Sequence, residues 1–199
     1  MNRIINTIIQ QLLKKQLIPK QDQELYSYGL KAFSFLFVNF LTALLLGFFT
    51  NRIREVIVFF LFFIPLRSNA GGYHTKNKLT CYFLSNFMLL AIIYIPTIAS
   101  SKTAFCAIGW LFFMSIILIF QFAPIPNSNR SFDDIEQKVF MKRTRCILFI
   151  ELLFIAITFI LHFSYWIKLF MLAPITVALL LILSLISNKI FKTGYHITA

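Results

Sequence analysis

The apolar positions of the chain form one periodic segment followed by six nearly continuous runs. Within residues 2–18, isoleucines and leucines recur every three or four positions, and basic and amide side chains lie mostly on the other side. This pattern is typical of an amphipathic helix with a basic face, which we expect to lie in a membrane interface and to end at Pro19. The alternative is a helix that packs on the protein's own cytoplasmic loops.

The six apolar runs predict six transmembrane helices, because about 20 apolar residues cross a bilayer as a helix. Their bounds are Phe33–Phe49, Ile53–Leu66, Cys81–Ala99, Ala104–Ala123, Cys146–Trp166 and Leu169–Ser187. The second run is short and begins with Arg54 and Glu55, so a re-entrant segment is the alternative there. We predict an all-α polytopic membrane protein, with a single membrane-embedded domain over residues 1–199 and a bundle over 33–187.

The amino-acid composition agrees with that of an integral membrane protein. Of the 199 residues, 59% are hydrophobic and 13% are charged, whereas a soluble domain carries about 25% charged residues. The net charge of +12 does not indicate nucleic acid, because the basic residues lie in short loops between apolar runs. Neither a removable signal peptide nor a disulfide framework is predicted from the N-terminal pattern and the three scattered cysteines.

The distribution of Lys and Arg predicts the orientation. With the N-terminus in the cytoplasm and six spans, the inner segments 1–32, 67–80, 124–145 and 188–199 hold 15 of the 19 basic residues. The outer turns hold the remaining four, Arg52, Arg54, Lys102 and Lys168. If the second run did not span, the inner count would fall to 7. The positive-inside rule therefore favours six spans in the cytoplasmic membrane, with both termini in the cytoplasm.

The polar segment 67–81 carries the candidate chemistry. It contains His74 and Cys81, which this topology places on the cytoplasmic side, with Cys81 in the first turn of the third spanning helix. A cysteine and a neighbouring histidine can act as nucleophile and general base. A helix N-terminus and two nearby lysines favour the reactive thiolate. The alternative is an inert, packed cysteine and a solvated histidine, and a structural zinc site would need more ligands.

Spacing alone does not bring the two side chains together. Residues seven apart on a continuous helix lie about 10 Å apart along its axis. His74 can reach Cys81 only if the intervening backbone folds back or is partly irregular. Gly71 and Gly72 permit such a conformation, because glycine tolerates positive φ.

The segment resembles the signature of the accessory gene regulator protein B (AgrB) family. The matching positions are Arg67, Gly71, Gly72, Tyr73, His74 and Cys81. Residues 123–130, read as Ala-Pro-Ile-Pro-Asn-Ser-Asn-Arg, also resemble that family's loop after the fourth span. The chain's size, its basic charge and its six apolar runs fit the same family.

The resemblance implies a membrane cysteine endopeptidase of quorum sensing. Such a protein removes the C-terminal tail of an AgrD-like peptide precursor and helps to close a thiolactone or lactone ring. By matching position, Cys81 would be the nucleophile and His74 the general base, while Arg67 and Gly72 match positions needed for function. We expect ATP-independent chemistry with no metal or other cofactor, and a homodimer is reasonable for the family.

Other residues are candidates for supporting roles. Asn77 could add to an oxyanion hole formed by backbone N–H groups at the start of the Cys81 helix. Arg67 could recognise a substrate carboxylate, or it could simply anchor the topology. Arg130 and Arg143 lie in the basic segment 124–145, which could steer an acidic precursor tail or only set the topology.

One acidic and three further titratable positions complete the candidates. Glu151 lies about two turns inside the fifth span, where a carboxylate is costly, and Arg67, Arg145 or a substrate group are its expected partners. Cys146, near the cytoplasmic face, is the rival nucleophile. His162 and His196 lie far from the motif in this topology, and we assign them no catalytic role.

Two functions of other classes remain as alternatives. A peptide transporter or exporter without its own chemistry is compatible with six spans and an intramembrane carboxylate, although it would more naturally show internal repeats. A scaffold that binds a partner kinase or peptide gives no reason for the reactive pair. The expected partners are the peptide precursor and the lipid bilayer, and nucleic acid is not among them.

Overall fold

The computed structural model describes residues 2–72, 78–125 and 133–194, with side chains described over 4–72, 79–125 and 133–186. Within these ranges the regular elements are helical. They are α1 (Asn2–Lys14), a short 3-10 turn (Lys20–Asp22), α2 (Gln23–Phe49), α3 (Ile53–Ala70), α4 (Lys78–Ile98), α5 (Lys102–Phe122), α6 (Asp134–Ile160) and α7 (Ser164–Gly194). The all-α prediction is confirmed for this part of the chain.

Four of these helices are long and apolar enough to cross a membrane. They cover Lys20–Phe49, Leu79–Ile98, Lys102–Phe122 and Ser164–Ile186. The helices α3 and α6 correspond to the second and fifth predicted spans, but α3 carries three charged side chains in its 18 residues and α6 carries seven in its 27. Helix α3 is nevertheless continuous over 18 residues, which makes it about 27 Å long. The structure therefore supports a polytopic membrane protein with four candidate spans.

Three helices end in the same hydrogen-bonded turn. After α1, α2 and α6 the chain passes through a non-glycine residue with left-handed backbone, namely Gln16 (φ 54°), Asn51 (φ 55°) and His162 (φ 58°). The following N–H then reaches back five residues, as when Arg52 N donates to Gly47 O at 2.7 Å. This arrangement satisfies C-terminal carbonyl groups that would otherwise lack donors. It ends α1 at Lys14, before the predicted end at Pro19.

Two predicted bounds around the polar segments are wrong. Helix α3 continues through Ala70, one turn beyond the predicted end at Leu66. Helix α6 begins at Asp134, so the greater part of the predicted loop 124–145 is helical. The apolar pattern reports where a helix can contact lipid, but a helix continues into polar sequence until a cap or a glycine ends it.

The boundary between the last two helices also differs from the prediction. The fifth apolar run was expected to continue to Trp166, but the turn at His162 divides it between α6 and α7. Lys168 consequently lies within α7 and not in a turn between two helices, whereas its predicted outer side stays a prediction. Its Nζ donates to the carbonyls of Pro96 at 3.0 Å and Ala99 at 2.8 Å, at the end of α4.

Helix α7 is the central element of the bundle. It packs most extensively on α5 and α3, and also on α6 and α4. Its side chains enter three apolar clusters, through Leu169 in the first, Val177 and Leu181 in the second, and Phe170 in the third. The second cluster also contains Leu66 and the ends of α3 and α5, so the segment that follows α3 is fixed against the core.

The apolar stripe of α1 is divided between two environments. Ile5 and Ile9 are buried against Ile18, with Leu30 of α2 packed nearby. Ile4 is exposed, as are several other large apolar residues of the bundle surface. The helix thus packs in part on the protein itself, and its location in a membrane interface stays a prediction.

The close approach of α2 and α3 at Gly47 gives a first test of this packing. A Cβ at Gly47 would lie 2.8 Å from Val56 Cγ2 and 3.1 Å from Ile53 Cα. We predict that Gly47→Ala lowers the thermal midpoint in detergent, by an amount equivalent to about 1–3 kcal/mol, because overpacking forces the backbone to move.

Gly29→Ala is the matched control. Gly29 is also helical, but a Cβ there meets nothing within 4 Å. Alanine should therefore raise the stability slightly, by up to about 1 kcal/mol, through its better helix propensity. A rise of similar size for Gly47→Ala would show that the two helices do not meet as described.

Candidate active site

The polar segment begins in the last turn of α3. Arg67 belongs to that turn, and Gly71 follows it with φ 75°, a conformation that glycine adopts at little cost. The Gly71 N–H donates to Arg67 O at 3.2 Å, and the Arg67 guanidinium donates from Nη1 to Gly71 O. The side chain of Arg67 thus binds the backbone that leaves its own helix.

Gly71 also pairs with the residues that follow α5. It forms an isolated parallel bridge with Ile125, and Ile125 N donates to Ala70 O at 3.1 Å. A Cβ at Gly71 would overlap with Ile125 O. The backbone approach is therefore compatible only with glycine. It joins the two stretches of sequence that resemble the same family, residues 67–81 and 123–130.

Gly72 is buried and lies directly over the Arg67 guanidinium. Its φ is 125°, and a Cβ there would lie 3.0 Å from Arg67 Nη1 and 3.4 Å from the backbone carbon of Leu180 in α7. A larger residue would displace either the guanidinium or the backbone. Both glycines adopt positive φ, and each has its own steric reason. The irregular backbone expected between them and Cys81 falls largely on residues 73–77, outside the described part of the chain.

Cys81 lies in the first turn of α4, as predicted, and its side chain is half-buried. Two polar contacts fix this end of α4 against α2. The hydroxyls of Tyr82 and Thr42 are 2.8 Å apart, and Asn86 Nδ2 donates to Asn39 Oδ1 at 2.9 Å. Hydrogen bonds between apolar helices set rotation and register, so these contacts orient the turn that carries Cys81.

Arg67 and Cys81 interact electrostatically. Burial lowers the pKa of Arg67 from its usual value to about 10, and the negative charge of a Cys81 thiolate opposes that decrease. The guanidinium therefore stays positively charged at neutral pH. A fixed positive charge favours a nearby anion, whether a thiolate or the oxyanion of a reaction intermediate. The structure thus brings together Arg67, Cys81 and the two glycines.

Three predicted site residues lie outside the described part of the chain. They are His74, Asn77 and Arg130, which fall between the described ranges. His196 also lies outside them. What was predicted for these residues from the sequence stays a prediction.

The two remaining supporting candidates are on α6. Arg143 is exposed, on the helical part of the basic segment. Glu151 is buried, and within the described chain neither carboxylate oxygen has a hydrogen-bond partner. Neither Arg67 nor Arg145 therefore donates a hydrogen bond to Glu151, contrary to the expected pairing. Arg67 binds Gly71 O, and the Arg145 Cζ lies 4.2 Å from the centroid of the Phe120 ring. A substrate group as partner for Glu151 stays a prediction.

The other cysteines and His162 lie on α5, on α6 and in the turn after α6. Cys146 and Cys106 are both exposed, on α6 and α5. His162 lies in the turn after α6, at the end opposite to Asp134, and this helix of 27 residues is about 40 Å long. Among the residues that the structure describes, no group of three His, Cys, Asp or Glu side chains is placed to hold a metal ion.

Sequence reasoning did not find a polar network at the other end of the bundle. Arg52 donates to Tyr165 at 2.6 Å and to Thr97 at 2.8 Å, and it forms an ion pair with Glu55 at 3.4 Å. Tyr165 in turn donates to Glu55 at 2.7 Å. The only sequence signal was a set of charged and hydroxyl residues at three separate predicted helix ends.

The family model described as Accessory gene regulator B matches residues 1–185, nearly the full chain. No curated protein and no solved structure matches. The matched range contains both halves of the Gly71–Ile125 bridge and the Arg67–Cys81 site. The chain is therefore a member of the accessory gene regulator B family, whose members take part in the processing of quorum-sensing peptides.

Proposed function

We propose that this protein is a membrane cysteine endopeptidase that removes the C-terminal tail of a quorum-sensing peptide precursor. In this proposal it also promotes closure of a thiolactone or lactone ring in the remaining peptide. The observation that carries the proposal is the half-buried Cys81 in the first turn of α4, with a positively charged Arg67 whose charge interacts with it. Family membership supports the substrate class.

The reaction starts with transfer of the Cys81 proton to His74. The thiolate attacks a carbonyl carbon of the precursor, and the oxyanion that forms is stabilised by helix N–H groups, by Asn77 and by the charge of Arg67. His74 then returns the proton to the leaving amine as the peptide C–N bond breaks. The products are the free tail and a thioester between the remaining peptide and Cys81.

Ring closure is an acyl transfer within the same site. A thiol or hydroxyl of the precursor attacks the thioester, its proton passes through His74 to Cys81, and the enzyme thiol is regenerated. Exchange of one thioester for another needs no nucleotide, which agrees with ATP-independent chemistry. Water must be kept away from the thioester, and a site at the edge of the bilayer assists that exclusion.

The supporting residues take distinct roles in this scheme. Arg67 and the glycine pair hold the segment, and Arg67 also contributes its charge at the reacting centre. Arg130 and Arg143 attract an acidic precursor tail, an effect that added salt should weaken. Glu151 accepts a hydrogen bond from the substrate, since a buried carboxylate without a partner is costly.

The proposed setting is a bundle of six spans with both termini in the cytoplasm and α1 in the inner membrane interface. The positive-inside distribution supports it, and so does the continuity of α3 over a length close to that of an apolar bilayer core. In this orientation Cys81 is cytoplasmic, where a newly made precursor can reach it. A homodimer is compatible with this arrangement.

Cleavage by the purified protein in liposomes tests the chemistry. We predict that Cys81→Ala releases no detectable tail from the cognate precursor, and that His74→Ala slows release by about 10²–10⁴-fold, since a general base contributes that much. Mass spectrometry of the tail fragment gives the rate.

Cys106→Ala is the matched control, because it removes an exposed thiol from α5 and should cleave at the parental rate. Full cleavage by Cys81→Ala would contradict the proposal and move the chemistry to another residue such as Cys146. No cleavage by the parent protein would instead favour a peptide transporter or a scaffold.

Thiol labelling in intact cells tests the topology. In a chain without its native cysteines, we predict that a membrane-impermeant maleimide labels Ser100→Cys and does not label Asp133→Cys. The first residue follows α4 and the second precedes α6, so six spans place them on opposite sides. Labelling of Asp133→Cys with protection of Ser100→Cys would show that α3 does not cross the membrane.

A further inference from the structure

A cleft lies between α5 and α6, outside the site described above. One cavity of about 580 Å³ follows a face of α6, and a second of about 250 Å³ lies between α6 and the last turns of α5. The two share Met141, Arg145 and Phe149 as lining residues. Because α6 packs mainly on α3 and α7, this side of the helix is open to the bilayer.

One end of the cleft is cationic. Lys138, Lys142 and Arg145 line the larger cavity, and their spacing of four and three residues places them on one helix face. Arg145 lies over the ring of Phe120, two residues before α5 ends. Arg145 is therefore level with the end of an apolar helix, and the two lysines lie about one and two turns farther from the bilayer core.

The other end of the cleft is apolar. Ile116 and Ile119 of α5 face Leu148 and Leu152 of α6 across the smaller cavity. Thr144 also lines the smaller cavity, but its hydroxyl already donates to Phe140 O at 2.8 Å. A peptide backbone inserted here would lose hydrogen bonds with water and find few replacements. A hydrocarbon chain has no such requirement.

We propose that this cleft binds one anionic phospholipid. Its phosphate lies among Lys138, Lys142 and Arg145, and one acyl chain occupies the apolar cleft between α5 and α6. The three cationic side chains favour an anionic headgroup. The apolar part of the cleft, between α5 and α6, favours a lipid over a soluble anion or an acidic peptide.

The bound lipid would stabilise the end of the bundle that carries the catalytic segment. Ile119 and Leu148 line the cleft and also belong to the cluster that contains Leu66 and Ala70. The chain then continues from α5 into Ile125, which pairs with Gly71. Lipid in the cleft therefore stabilises the apolar cluster against which the turn that carries Arg67 packs.

The test is lipid-dependent stability of the full chain, which does not depend on the proposed enzymatic activity. Thermal midpoints are measured in nanodiscs of phosphatidylcholine alone and of phosphatidylcholine mixed with phosphatidylglycerol, and retained lipid is counted by native mass spectrometry. We predict that phosphatidylglycerol raises the midpoint and that one molecule is retained. In Lys142→Gln/Arg145→Gln the rise disappears and retention weakens roughly 30-fold, from two lost cationic contacts.

Arg143→Gln is the matched control, since it removes one charge from the same turns of α6 but does not line the cavity. It should keep the response to phosphatidylglycerol, and so should Arg145→Lys, which keeps the charge. An equal loss in Arg143→Gln and in the double variant would overturn the site. So would an equal rise with inorganic phosphate or with a glutamate-rich peptide in phosphatidylcholine nanodiscs, because either result would identify a soluble anion as the occupant.

Discussion

The contact between the Arg67 guanidinium and the Gly71 carbonyl is the interaction on which the proposed active site of this protein depends. A backbone that leaves a helix next to the bilayer must find donors for its carbonyl groups. Arg67 supplies one from its own turn, and it remains charged because its pKa stays near 10. The charge of the same guanidinium interacts with that of Cys81, so one side chain contacts the turn and, in the proposed mechanism, also acts at the reacting thiol.

The glycines make this contact sterically feasible. Gly71 leaves room for the carbonyl of Ile125, and Gly72 leaves room for the guanidinium and the Leu180 backbone. Both adopt positive φ, which a side chain would disfavour. The segment is thereby fixed to α5 on one side and α7 on the other. Cys81 is fixed independently, through the contacts that join α4 to α2.

The sequence predicted the parts of this arrangement that depend on local pattern. The placement of Cys81 in a helix's first turn followed from the start of an apolar run, and the irregular backbone followed from the glycine pair. The contact of Gly71 with Ile125 could not be predicted from pattern, because it joins residues that are distant in sequence. The Asn39–Asn86 pair of α2 and α4 was visible only as isolated asparagines in apolar runs, which are a signal of interhelical hydrogen bonding.

The errors in prediction have a common cause. Hydropathy locates lipid-facing surface, whereas hydrogen bonds decide where a helix ends. Ala70 and Asp134 therefore bound helices that continue past their apolar portions. Lys168 lies within a helix and donates to carbonyls at the end of α4. The expected partners of Glu151 were chosen by charge alone, but both arginines make other contacts.

The most direct test of this account is the cleavage rate of Arg67→Lys in liposomes, measured beside Arg54→Lys, the same change at an exposed position. Lysine keeps the charge but not the flat guanidinium that fits beneath Gly72. Loss of a charge-assisted hydrogen bond of about 1.5–3 kcal/mol should slow cleavage roughly 10–100-fold, with membrane insertion unchanged. A parental rate for Arg67→Lys, equal to that of Arg54→Lys, would contradict the account. It would indicate that Arg67 serves only to set the membrane topology.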